Sequence, residues 1–177
     1  EYERDHDVLT ELYNRRAFKR MALALLARGP QAACVGALVM LDLDNLKYIN
    51  DTYGHDMGDA YIRCMAASLP SPDGERCLVA RMSGDEFFVL FHGYDTQEEV
   101  RGQIALLRQR MTRASLTLPD GVRQPVRASG GVAWYPADSD RFDELVRYAD
   151  FAMYQVKNSG KGEFAEFDGE AYRRDAY

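Results

Sequence analysis

Cys77-Leu78-Val79-Ala80-Arg81-Met82-Ser83-Gly84-Asp85-Glu86-Phe87-Phe88-Val89-Leu90-Phe91 is the stretch on which the fold turns. Two largely apolar runs, 77–82 and 86–91, flank Ser83-Gly84-Asp85, small and polar residues of turn chemistry. Branched and aromatic runs around such a turn predict a β-hairpin. Upstream of it, Met57, Ala60, Tyr61, Cys64, Met65 and Leu69 mark the inner face of a helix, and a shorter helix over 46–51 stops at Gly54. Residues 34–43 are short, apolar and rich in small or branched side chains, which predicts a buried strand. Ahead of that strand a helix spans 15–27, with Phe18, Met21, Ala22, Leu25 and Leu26 at helical spacing and Gly29-Pro30 breaking it. Downstream of the hairpin, Thr96 and Glu99 form a capping box for a helix whose face is Val100, Ile104, Leu107 and Met111. Residues 126–134 predict a strand, and Phe142, Leu145, Val146, Ala149 and Met153 a long helix ended by Gly160 and Gly162. A weak last strand covers 164–167. A hairpin set between helices points to an α+β layer fold, with a mostly antiparallel sheet carrying helices on its faces.

With 177 residues, 46% of them hydrophobic, the chain is long enough to bury a core as one domain spanning 1–177. Residues 1–14 read as a polar lead-in arriving from an upstream region. No apolar run approaches the roughly 20 residues that cross a bilayer, so no membrane contact is expected of this segment, whatever upstream regions would anchor a longer protein. A net charge of −6 argues against a nucleic-acid surface, since such surfaces are usually basic. Cys34, Cys64 and Cys77 are widely separated and form no metal or redox motif. Reduced, structural thiols in a cytoplasmic setting are expected.

Chemistry enters with the acids. Asp42 and Asp44 close the first strand, where alternation puts both on one face, and Asp85 and Glu86 sit at the hairpin tip. If that strand neighbours the hairpin, four carboxylates converge at one edge of the sheet. Clustered carboxylates repel unless protonated or neutralised, and all-oxygen sites of this kind suit a hard divalent ion such as Mg²⁺. Such an ion coordinates phosphate oxygens and activates a hydroxyl for attack.

Arg81-Met82-Ser83-Gly84-Asp85-Glu86-Phe87 resembles the GGDEF signature with serine in its first position. Leu41-Asp42-Leu43-Asp44-Asn45-Leu46-Lys47-Tyr48-Ile49-Asn50-Asp51, continued by Asp51-Thr52-Tyr53-Gly54-His55-Asp56-Met57-Gly58-Asp59, is similar to that family's strand-to-helix signature. The opening Asp7-Val8-Leu9-Thr10 resembles its D-x-L-T segment, and residues 149–157 with Gly160-Lys161 its closing helix. These motifs run through nearly the whole chain in order. The resemblance implies a nucleotidyl-cyclase, palm-like fold with a ferredoxin-like core, and a diguanylate cyclase that condenses two GTP into cyclic di-GMP (c-di-GMP) with release of pyrophosphate.

It further implies roles for single residues. Asp42 and Asp85, with the Leu43 carbonyl, would hold one or two Mg²⁺ or Mn²⁺ ions; Asp85 would accept the proton of the attacking 3′-hydroxyl, with Glu86 adding charge beside it. Lys47 would stabilise charge at the reacting phosphate. Asn50 and Asp59 would read the base, because a carboxylate accepts from both guanine N1–H and N2–H₂. His55 would touch the nucleotide, Asn45 and Leu46 would border its phosphates, and Lys157 and Lys161 would bind the terminal phosphates. Taken singly, Lys47 also reads as a solvated lysine, Asp59 as a helix-surface acid, Asn50 as a helix-end cap and Lys157 as a favourable charge at a helix C-terminus. A two-fold symmetric product requires two copies face to face, so a C₂ homodimer, transient or stable, is expected as partner.

Three positions depart from the pattern. Ser83 replaces a glycine and is costly if φ must be positive there. Leu46 stands where a phenylalanine is usual, and Lys161 replaces an arginine, keeping the charge and losing the bidentate fork. The family's inhibitory R-x-x-D falls on Gly74-Glu75-Arg76-Cys77, with neither the arginine nor the aspartate in place, so no product feedback through that site is expected. The competing reading is a catalytically degenerate GGDEF domain that binds GTP or a protein partner and regulates.

Overall fold

The polar lead-in contains one turn of helix, α1 (Tyr2–Asp5), where no helix start was expected. This is a computed structural model; it describes residues 2–72 and 74–175, and Glu1, the first residue of the lead-in, lies outside them. Helix α2 (Arg15–Ala27) starts where Asn14 accepts the Ala17 N–H, and it buries Ala17, Phe18, Ala22 and Leu26. The Gly29-Pro30 break holds a further turn, α3 (Pro30–Ala33), because proline fits the first helical position. Cys34 then takes φ +54, so strand β1 (Val35–Leu43) begins one residue later than the apolar run suggests.

Helices α4 (Leu46–Tyr53) and α5 (His55–Ser68) meet at Gly54, and the hairpin follows as β2 (Cys77–Ser83) and β3 (Glu86–Tyr94). Helix α6 (Gln97–Arg113) carries the expected capping box, with Thr96 and Glu99 bonding each other's backbone. A small two-stranded sheet, β4 (Ser115–Thr117) and β5 (Arg123–Pro125), was not anticipated: three residues per strand are too few to show an alternation. Strand β6 (Ala128–Tyr135), helix α7 (Phe142–Ser159), strand β7 (Phe164–Glu166) and helix α8 (Gly169–Asp175) complete the chain.

The main sheet has the order β2-β3-β1-β6-β7. Its first four strands pair antiparallel and β7 runs parallel to β6. Alternation sorts β1 cleanly. Ala37, Val39, Leu41 and Leu43 pack in the cluster shared with α4, α5 and α6, and Leu38 and Met40 in the cluster shared with α2 and α7. Burying each such large aliphatic or aromatic side chain is worth roughly 1.5–3 kcal/mol. Such a sheet, covered by helices on both sides, is the mostly antiparallel α+β arrangement that the hairpin implied. Asp42 continues the Leu38–Met40 row, and the register sets it opposite Glu86 on β3 and Ser129 on β6.

Candidate active site

The register fixes the acids before any side chain is considered. Asp42 and Glu86 are direct cross-strand partners, and the Leu43 N–H donates to the Asp85 carbonyl at 2.8 Å, which pins the hairpin tip to the end of β1. Asp85 and Asp42 are within side-chain hydrogen-bonding reach. Asp85 is exposed as a residue, yet desolvation of its carboxyl group, then the charge and bond of Asp42, push its pKa up. Burial, then Asp42 and Asp150, raise Glu86 in the same direction, with Arg15 opposing. Carboxylates that resist ionising together favour a cation between them.

One cation is already present. The Lys157 ammonium, projecting from the last turns of α7, pairs with Asp42. Desolvation works against that charge, but the Asp42 bond and charge, with Asp85 and Asp44 beyond, outweigh it and the lysine pKa rises. Asp44 behaves differently from the other acids. It is buried, and the Ser129 hydroxyl donates to it at 3.2 Å, so it is drawn into the fold instead of joining the open cluster. Burial raises its pKa, while Ser129 and Lys161 work in the opposite direction. Among the described residues no three His, Cys, Asp or Glu side chains form a closed metal cage. The open arrangement of Asp42 and Asp85, oxygen donors only and with a cation already drawn to them, nevertheless fits a hard divalent ion.

On the other side of β1, α4 and α5 carry the residues expected to read the base. Asn50 lies so close to α5 that a Cβ on Gly58 would come 1.7 Å from its Oδ1. Asp59 follows Gly58, half-buried. Asn45 holds φ +71 at the start of α4, and Leu46 packs half-buried against the core. His55 opens α5 and is exposed. Lys47 does not reach the acids: it points to solvent and pairs with Asp51 at 2.6 Å, one turn along its own helix. Lys161 is exposed in the turn after α7, at φ +60.

The family model for the diguanylate cyclase GGDEF domain matches residues 4–163. The chain belongs to the GGDEF family. It is 32% identical over 172 residues to the biofilm architecture maintenance protein MbaA of Vibrio cholerae, covering 92% of this chain and 21% of that protein. It is 36% identical over 155 residues to the diguanylate cyclase DgcN of Escherichia coli, covering 86% and 37%. This GGDEF domain thus spans between about a fifth and two fifths of the length of these curated relatives. A truncated TpbB (also called YfiN) from Pseudomonas aeruginosa, comprising only its GGDEF domain, superposes with a TM-score of 0.83 at 30% identity, over 97% of this chain and 99% of that one.

The serine variant of the GGDEF signature is accommodated without strain. Ser83 ends β2 opposite Glu86, and neither it nor Gly84 has positive φ, so the backbone freedom of glycine is not required there. Arg81 clamps the loop by donating to the Gly84 carbonyl at 3.0 and 3.2 Å, and it also reaches Asp7 at 3.3 Å. Asp7 in turn accepts from the Thr10 N–H and hydroxyl at 2.9 and 2.8 Å. The opening D-x-L-T segment therefore braces the signature hairpin. The segment is legible in the sequence, but its partner lies 74 residues away. Ser129 and Arg127, which border Asp44, give no local signal in the sequence, and Tyr61 reads there only as a core residue of its helix.

Proposed function

We propose that this GGDEF domain is a diguanylate cyclase: two GTP give one c-di-GMP and two pyrophosphates, each 3′-hydroxyl attacking the α-phosphorus of the other nucleotide across a two-fold pair of domains. The observation that carries the reading is the meeting of Asp42, Asp85 and Glu86 at one end of the sheet beside Lys157. Asp42 and Asp85, with the Leu43 carbonyl, would hold Mg²⁺ or Mn²⁺. The bound ion supplies neutralisation of phosphate charge and acidification of a nearby hydroxyl. Asp85, a carboxylate whose pKa is held up, accepts the 3′-hydroxyl proton, and Glu86 keeps the local field negative where that proton leaves. Lys157 and Lys161 take the terminal phosphates, and Lys47, exchanging its exposed pair with Asp51, reaches the reacting one.

Asn50 and Asp59 orient the base, and neither side chain has a hydrogen-bonding partner among the described residues that would compete with a ligand. Asp59 accepts from guanine and would face a lone pair on adenine, which disfavours ATP. Attack by each nucleotide on the other makes a second copy of the domain part of the site. Incubation with GTP and Mn²⁺, followed by chromatography, should yield c-di-GMP. Asp85→Ala should lower the yield by at least about 100-fold, the scale of a lost general base. An excess of ATP should leave the yield unchanged. No product from the folded wild-type chain would leave the regulatory, non-catalytic reading in its place. The Gly74–Cys77 stretch, with Arg76 stacked 4.7 Å over Tyr94, supports synthesis without feedback there. Calorimetry finding tight c-di-GMP binding that Arg76→Ala abolishes would contradict that.

A further inference from the structure

Ser129 is fully buried on β6, and its single hydroxyl serves two segments. It donates to the Asp44 carboxylate, at 3.2 and 3.3 Å from the two oxygens, and accepts the Gly162 N–H at 3.1 Å. The same corner is braced from behind. The Tyr61 hydroxyl donates to the Asp44 carbonyl at 2.9 Å and accepts the Arg127 N–H at 3.3 Å, while the Arg127 carbonyl accepts the Asp44 N–H at 2.8 Å. The Arg127 guanidinium donates to the Lys161 carbonyl at 3.5 Å and lies so near Gly162 that a Cβ there would come 2.2 Å from its Nε. Lys161 and Gly162 both hold positive φ, at +60 and +71. A lysine does not adopt that backbone unaided, so the turn is imposed by what it is bonded to.

We propose that Ser129 is a positioning residue whose hydroxyl ties the Lys161–Gly162 turn to the acidic end of β1 and so aims Lys161 at the terminal phosphates of the nucleotide. The inference rests on the reading that Lys161 takes those phosphates. A hydroxyl has one donor and two acceptor sites, and here the donor and one acceptor are committed in a place closed to water. Without it the Gly162 N–H and the Asp44 carboxylate each lose a buried partner, and the strained turn is released. The bonds of Ser129 reach neither Asn50 nor Asp59. Its loss should therefore divide the ligand, weakening the phosphate end and sparing the base.

The test is calorimetric and uses the whole chain with Mg²⁺. Binding is compared for GMP and for GTP carrying a methylene bridge between its α- and β-phosphates, which cannot release pyrophosphate. Ser129→Ala should weaken bridged GTP about tenfold and GMP by less than about twofold, with Ser129→Thr recovering most of the loss. In turnover, KM for GTP should rise more than kcat falls. Equal weakening of both ligands, or unchanged GTP binding, would overturn the assignment. Should Ser129→Ala fail to fold, Gly162→Ala perturbs the same turn from its outer side and must give the same division; unchanged GTP binding there overturns it equally. A wild-type chain that binds neither ligand would refute the functional reading and this inference together, and the wild-type titration identifies that case.

Discussion

At Gly58 a single missing Cβ decides how two helices meet. A methyl there would collide with the Asn50 amide at 1.7 Å, and the amide, at the end of a flexible side chain, would turn away. Alanine in a helix interior is itself favourable over glycine by about 1 kcal/mol. Gly58→Ala is therefore expected to leave the melting temperature unchanged or raised while KM for GTP rises about tenfold, through loss of the hydrogen bond that Asn50 is proposed to give the base. Steady-state kinetics beside a thermal melt checks both halves. Tyr135 makes the opposite case, a buried side chain whose hydroxyl has no partner among the described residues. An unpaired buried hydroxyl stabilises nothing, so Tyr135→Phe should be neutral or stabilising by up to about 1 kcal/mol in urea unfolding. A loss of more than that would reveal a partner for the hydroxyl.

Between elements, the edge strand β7 is held by a charged latch as well as by its ladder. Arg101 on α6 grips Glu166 on β7 with two bonds, of 3.0 and 3.1 Å, and the Trp134 ring N–H on β6 donates to the same carboxylate at 2.9 Å. The Arg101 bond chiefly, with the Trp134 bond behind it, outweighs desolvation and lowers the Glu166 pKa below its ordinary 4.5. A carboxylate depressed on folding contributes stability that is complete above its unfolded pKa and disappears as pH falls through the folded value. The melting-temperature gap between wild type and Glu166→Gln should thus be widest near neutrality and close as the pH falls below the ordinary carboxylate range. A gap that stays constant over that range would show the carboxylate's charge to be irrelevant. The contribution is modest in any case, because both partners are partly open to solvent.

For the whole molecule, the proposed two-fold product carries the consequence of concentration dependence. In the proposed reaction one copy would offer one base corner and one acidic edge, and the condensation would need two of each facing one another. Specific activity of the chain should rise with its own concentration and level off once pairs form, whereas a self-sufficient monomer would give a flat line. Equal mixing with the Asp85→Ala variant should lower the yield beyond simple dilution, since mixed pairs carry out only one of the two attacks. No helix among the described residues is long and apolar enough to cross a membrane.

Local regularities were legible in the sequence because they repeat within a few residues. Short apolar runs of small, branched and aromatic side chains exposed the strands, the 3.6 spacing the helices, Ser83-Gly84-Asp85 the hairpin, and Thr96 with Glu99 the cap of α6. The acids at the end of β1 and at the hairpin tip were legible for the same reason, each being part of a short signature. What the chain does between distant segments was not. Lys157 meets Asp42 across 115 residues, and Ser129 meets Asp44 across 85. Those meetings depend on strand order and register, which set β6 beside β1 and lay α7 over that face, and no short window of residues contains either. Tertiary packing likewise turned Asp44 inward while leaving Asp85 open, two acids of one cluster that the sequence could not tell apart. Burial is a property of the neighbours a residue acquires, and those are chosen only when the sheet assembles.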